Sequence, residues 1–428
     1  MMTVSDISSD RIDRTQPPIP EAPLESGVPE SPIGGTTSAP AIPRRFTALD
    51  GLRGLAAIVV VIFHLRREFR DIGIPDSLDR LITGGYLMVD LFFVLSGFVM
   101  ARTMLRTRHR EDFLRFSELR VRRFMPLHLA GWAIALLGVT VLALCQQFGI
   151  FHTPERGAFH HGDTNLRAWA SSLVLVQGIL GPQFSGYAAA WSLSVELWVN
   201  ILIVAVVAFM PTAYYRRLVG PAAFLAGMVV LAWTVPSAEN SVGTVAFGRG
   251  LAGLGAGMVT YELYLLFMRR RTIASPEDGA TQTVRWAAPV GVISLLLLVL
   301  ACWERGFVRE FRFLPMMMLA PVLVVSLALP SGGPAKWLLN TSVVQWLGSR
   351  SFAIYALHGP VLMSVKLVLE LRGLNPQAPK VAAVIIVAGM IGAACLAEIG
   401  HRYIETAWQP KKKPRPAPEP VVREPASV

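Results

Sequence analysis

Apolar positions along the chain come in stretches too long for ordinary core helices. Windows of roughly 20 mostly apolar residues, the length that crosses a hydrocarbon layer, fit at about 46–66, 82–102, 124–145, 188–210, 217–235, 242–268, 285–303, 311–330, 343–368 and 380–403. They predict an all-α, polytopic integral membrane protein of about ten transmembrane helices. A weakly apolar stretch at about 166–180 is shorter and predicts a re-entrant or interfacial helix. The first forty-odd residues are rich in Pro, Ser, Thr and acidic groups and hold no apolar run, and the tail after Trp408 is basic and Pro-rich. Both ends are therefore expected to be disordered. The chain divides into an N-terminal segment at 1–43, a membrane domain at 44–408 and a tail at 409–428.

Composition supports lipid as the solvent. With 53% hydrophobic and 16% charged residues among 428, there is too little polar surface to cover soluble domains of this size. The net charge of +11 would suggest nucleic acid in a soluble protein. Here the basic residues sit in short runs between apolar stretches, which orients helices instead and excludes a nucleic-acid partner. Arg102 through Arg123, Arg216, Arg217, Arg269 to Arg271 and Lys411 to Lys413 fall on one side when the helices are threaded, and the opposite connections are poorer in cations except the first, where Arg66, Arg67, Arg70 and Arg80 stand with Glu68, Asp71, Asp76 and Asp79. Both termini are thus expected in the cytoplasm, with the protein in a bacterial-type inner or plasma membrane. Cys145, Cys302 and Cys395 lie in apolar segments without the paired spacing of a disulfide framework or a metal site.

The informative residues are the polar ones inside the apolar windows. A charge at mid-helix costs roughly 2.5–3.5 kcal/mol on insertion scales, so each needs a partner, a watery cavity or a task. The first window carries Asp50, Arg53 and His64. The eleven-residue step from Arg53 to His64 comes to roughly 1100°, about 20° past three turns, so both share a face about 16 Å apart. Asp50 can pair with Arg53. Asp90, Glu196, Arg249 and the Tyr355–His358 pair stand in four further windows, and a shared internal cavity accounts for that pattern better than separate structural pairs. Arg120 and Arg123, one helical turn apart at the mouth of the third window, present planar forks suited to phosphate oxygens.

Together these segments resemble the acyltransferase 3 family of membrane proteins, over about 46–408. LDGLRG followed by His64, with ten residues between Arg53 and His64, is similar to the family's Arg-x10-His signature. GYLMVDLFFVLSGF, RVRRFMP, WSLSVE and SFAIYALHGPVL follow in the family's order. Met88 replaces the usual Gly, and Leu197 stands where many polysaccharide-modifying members have a second Glu. The resemblance implies an acyltransferase moving an acyl group, most often acetyl, from acyl-CoA to a hydroxyl of a glycan, a lipid-linked acceptor or another compound, as in cell-surface or exopolysaccharide modification. It implies acyl-CoA as co-substrate, with no tightly bound cofactor and no metal. His64 is expected to act as general base or as a covalent acyl relay, with Asp90 or Glu196 orienting it, or with Glu196 binding a sugar hydroxyl. Asp50, Arg53, Arg120, Arg123, Trp191, Arg249, Tyr355 and His358 are expected to bind donor or acceptor. The rival classes are a proton-coupled transporter, for which the expected internal symmetry is missing from the sequence, and a non-enzymatic sensor. The oligomeric state is open.

Overall fold

The computed structural model describes residue 43 and residues 45–149, 166–181, 185–234, 243–274, 284–303 and 313–408. The expected disordered ends, 1–43 apart from Pro43 and 409–428, lie outside the described residues. Among the described residues every regular element is helical. In chain order the helices are α1 (Thr47–His64), α2 (Arg66–Asp71), α3 (Asp76–Thr83), α4 (Met88–Met104), α5 (Arg110–Gln147), α6 (Leu166–Leu173), α7 (Gln177–Leu180), α8 (Trp191–Phe209) and α9 (Ala213–Trp233). They continue with α10 (Thr244–Ala274), α11 (Ala287–Trp303), α12 (Leu314–Ala328), α13 (Pro334–Leu339), α14 (Ser342–Leu371), α15 (Pro379–Ile399) and the single turn α16 (Thr406–Trp408).

All ten apolar windows contain a helix, and among the described residues eight helical stretches are long and apolar enough to cross a membrane. The windows at 285–303 and 311–330 hold the shorter apolar helices Ala287–Trp303 and Leu314–Ala328. The protein is an integral membrane protein, and its outward faces show why. Leu137, Val229, Ile293, Val343 and Val387 are more than half exposed on helices whose inner faces are buried. Such apolar surface belongs against lipid rather than water. Of the cysteines, Cys302 is buried, Cys145 half-buried and Cys395 exposed, all as free thiols.

α1 lies against α14, and α4 and α9 both pack on α10. The approach of α1 to α14 is backbone to backbone. A Cβ added at Gly54 would sit 2.4 Å from Gly348 N, and one at Gly348 would sit 2.5 Å from Asp50 O. Only glycine permits that contact. The expected element at 166–180 is the short pair α6 and α7. It is held by side chains of its neighbours: His128 of α5 reaches Ser172 O at 2.7 Å, and Trp198 of α8 reaches Leu175 O at 2.9 Å. Satisfying loop carbonyls with protein donors is what an irregular segment inside an apolar bundle requires.

Candidate active site

Five helices bring polar side chains to one cleft, Ser96 of α4 among them. α1 supplies Arg53, α5 supplies Arg120 and Arg123, α8 supplies Ser192 and Glu196, and α14 supplies Tyr355. Phe92, Phe93 and Phe124 complete much of the apolar wall. The helical period explains the pairing of Ser192 with Glu196 and of Arg120 with Arg123, since residues three or four apart share a face.

Arg120 is the unusual residue here. It is only 5% exposed, its guanidinium lies near the rings of Phe116 and Phe124 at 5.4 and 5.8 Å, and its Nε and Nη2 meet no hydrogen-bond partner among the described residues. Arg123 Nε is also buried without a partner. Glu196 lines the same cleft, yet no ion pair within 4 Å joins it to these arginines among the described residues. A buried cation with unmade hydrogen bonds is costly. An anion entering the cleft relieves that cost.

At the far end of the cleft, Tyr355 Oη shares a hydrogen bond with Ser192 Oγ at 2.6 Å and lies 3.2 Å from Ala189 O. One turn further along α14, the His358 ring lies 5.6 Å from the Tyr355 ring and 4.8 Å from the His64 ring. Hydrogen-bond chemistry assigns the protons of this pair in its neutral form. A backbone carbonyl only accepts, so His358 Nδ1, 2.6 Å from Tyr355 O, carries a proton, and His358 Nε2 keeps its lone pair. His64 Nδ1 lies 2.9 Å from Val60 O and 3.3 Å from His358 Nε2, so it also carries a proton, shared between those two acceptors. His64 Nε2 is then the unprotonated nitrogen. That is the tautomer a general base needs.

The sequence led to a carboxylate, Asp90 or Glu196, orienting His64. The structure places His358 there. Asp90 is fully buried and gives both oxygens to Arg249, at 2.9 Å from Nε and 2.9 Å from Nη2. Trp191 lies against the Arg249 guanidinium at 5.0 Å. Asp90, Arg249 and Trp191 therefore form a closed cluster joining α4, α8 and α10, outside the lining of the cleft. The Arg249 edge formed by Nε and Nη2 is taken up by this bidentate pair. Glu196 stays with the arginines. Asp50 pairs with Arg45, and its other oxygen is 3.9 Å from Arg53. Ser192 was missed in the sequence, although its place four residues before Glu196 on one helix was the available signal.

The chain matches the family described as an acyltransferase domain over residues 46–399. It belongs to that acyltransferase family, as the motif order had implied. Among curated proteins it is similar to an O-acetyltransferase OatA of Staphylococcus aureus, 23% identical over 398 residues covering 87% of this chain and 60% of the relative. It is also similar to a peptidoglycan O-acetyltransferase OatA of Listeria monocytogenes, 24% identical over 392 residues, 84% of this chain and 55% of the relative. The acyltransferase MdmB of Streptomyces mycarofaciens is 27% identical over 328 residues, 74% of this chain and 79% of the relative. The chain thus spans about 60% or less of the length of the OatA relatives. No solved structure matches.

Proposed function

We propose that the protein is a membrane O-acetyltransferase that takes an acetyl group from acetyl-CoA and transfers it to a hydroxyl of a glycan acceptor. The observation that carries this reading is Arg120, a buried guanidinium with unmade hydrogen bonds in a cleft it shares with Arg53 and Arg123. Phosphate oxygens match such forks in charge and shape. The cleft then runs to Tyr355, whose helix carries His358 and, through it, His64. The rise of about 16 Å between Arg53 and His64 suits a donor whose phosphates lie at one end and whose thioester lies at the other. With both termini in the cytoplasm the donor enters from that side, and the acceptor approaches the His64 end of α1.

In the transfer, His64 Nε2 takes the proton of the acceptor hydroxyl as its oxygen attacks the thioester carbonyl carbon. The new C–O bond forms, the C–S bond breaks, and the proton passes from the imidazolium to the departing sulfur. The positive charge on His64 in between strengthens its Nδ1–H bond to His358 Nε2. The names of the relatives, one of them acting on peptidoglycan, support a glycan acceptor. Purified protein in lipid nanodiscs, titrated with radiolabelled acetyl-CoA, tests the donor. Saturable binding that weakens in Arg120→Gln supports the reading, and no binding by the wild-type protein sinks it.

A further inference from the structure

A second cavity lies beside the arginine cleft, at the start of α1. It is lined by Arg45 and Phe46 before α1, Tyr264 of α10, Leu329 after α12, Lys336 of α13 and Asn340. One carboxylate links its lining to that of the first site: Asp50 pairs with Arg45 of this cavity and stands 3.9 Å from Arg53 of the cleft.

The groups around it have a distinct chemistry. Lys336 is half-buried, and its Nζ donates to Leu329 O. No carboxylate lies within 4 Å of it among the described residues. An ammonium has three donors, so at least one further N–H is open to a ligand. Burial without a counter-charge also holds the Lys336 ammonium below its ordinary pKa. Phe46 and Tyr264 meet edge to face at 5.6 Å and form an aromatic wall. Asn340 uses its amide N–H on Lys336 O at 2.7 Å, which leaves its carbonyl oxygen able to accept from an amino group.

We propose that this cavity binds the phosphorylated nucleoside end of the acyl-CoA donor, with Lys336 on the ribose phosphate and Phe46, Tyr264 and Asn340 beside the base. This assignment rests on the acetyl-CoA reading above and extends it. The arginine cleft then takes the pyrophosphate and the pantetheine arm, and the Arg45–Asp50–Arg53 ion chain is the ridge between the two parts. An unpaired cation, an aromatic wall and an amide acceptor together match a purine nucleotide better than a bare anion. The headgroup of an anionic lipid offers the same phosphate chemistry without the base, and the test separates these sources.

The full-length protein in phosphatidylcholine nanodiscs is titrated with acetyl-CoA, 3′-dephospho-acetyl-CoA and S-acetyl-pantetheine, as wild type, Lys336→Gln and Lys336→Arg. Lys336→Gln is expected to weaken acetyl-CoA about tenfold, to affect the dephospho compound far less and to leave acetyl-pantetheine unchanged, with Lys336→Arg restoring most of the loss. Equal affinity of Lys336→Gln and wild type for acetyl-CoA overturns the proposal. So does an equal loss for all three ligands, which marks a folding defect rather than a contact. A lipid site overturns it too: phosphatidylglycerol then co-purifies with wild type and not with Lys336→Gln, while acetyl-CoA affinity is unaltered. If acetyl-CoA binding falls in Arg120→Gln and not in Lys336→Gln, this assignment fails and the donor reading stands. If wild type binds none of the three, both fall.

Discussion

His64 Nδ1 and His358 Nε2 meet at 3.3 Å because each histidine lies ten residues beyond a glycine, Gly54 and Gly348, at which their helices touch. Equal steps along two helices running the same way bring the rings to one level, about 15 Å from the crossing. The histidine pair is thus set by helix packing as much as by the residues themselves. Larger side chains at the crossing should misplace it. Gly54→Leu would put a Cβ 2.4 Å from Gly348 N, and is expected to lower acetyl transfer at least tenfold while the protein still inserts in the membrane. Transfer at the wild-type rate by a Gly54→Leu protein would show that the crossing does not set the pair.

His358 supplies the acceptor for the His64 Nδ1 proton. His358→Ala should cut kcat about 10- to 100-fold, the range typical of a lost orienting partner, with little change in KM for the donor. A structural role alone would move KM and thermal stability together and leave the pH profile of kcat in place. The measurement is a pH–rate profile of wild type, His358→Ala and His358→Gln, in which the acidic limb, set by deprotonation of the base, shifts only if His358 acts through His64.

Arg120 should act on donor binding and not on the later steps. Losing charged hydrogen bonds worth about 1.5–3 kcal/mol predicts that Arg120→Gln raises the dissociation constant for acetyl-CoA roughly 10- to 100-fold. Its cation is flanked by Phe116 and Phe124, so Arg120→Lys is expected to recover only part of the affinity. Titration of both variants checks this, and an unchanged constant in Arg120→Gln removes the residue from the donor site.

The Asp90–Arg249 pair is expected to matter for stability first. Breaking a buried pair from one side leaves an uncompensated charge, at about 3–5 kcal/mol, so Asp90→Asn and Arg249→Met should each lower the midpoint of thermal unfolding sharply. The double variant Asp90→Leu with Arg249→Met should recover much of it. Additive losses in the double variant would contradict a role confined to neutralising one another.

The helices were legible because apolar length is a direct signal, and the arginines of the cleft because a charge at the mouth of an apolar window needs a partner or a task. That each apolar window holds a helix followed from its length alone. The number of spans did not, since α11 and α12 are shorter than their apolar windows. The partner of His64 did not either. Period arithmetic works within one helix, whereas Asp90, Glu196 and His358 lie on three different helices, and which of them meets His64 depends on how those helices cross. Gly348 set that crossing, and a lone glycine among the 36 of this chain carries no local sign of such a role. The cavity around Lys336 was equally invisible, because its walls come from four separated segments.

The most direct test of the account is single-turnover transfer in nanodiscs holding acetyl-CoA and a glycan acceptor, comparing wild type with His64→Ala. The account predicts that His64→Ala binds acetyl-CoA with wild-type affinity and transfers no acetyl group. Transfer by His64→Ala at a rate near that of wild type would contradict it.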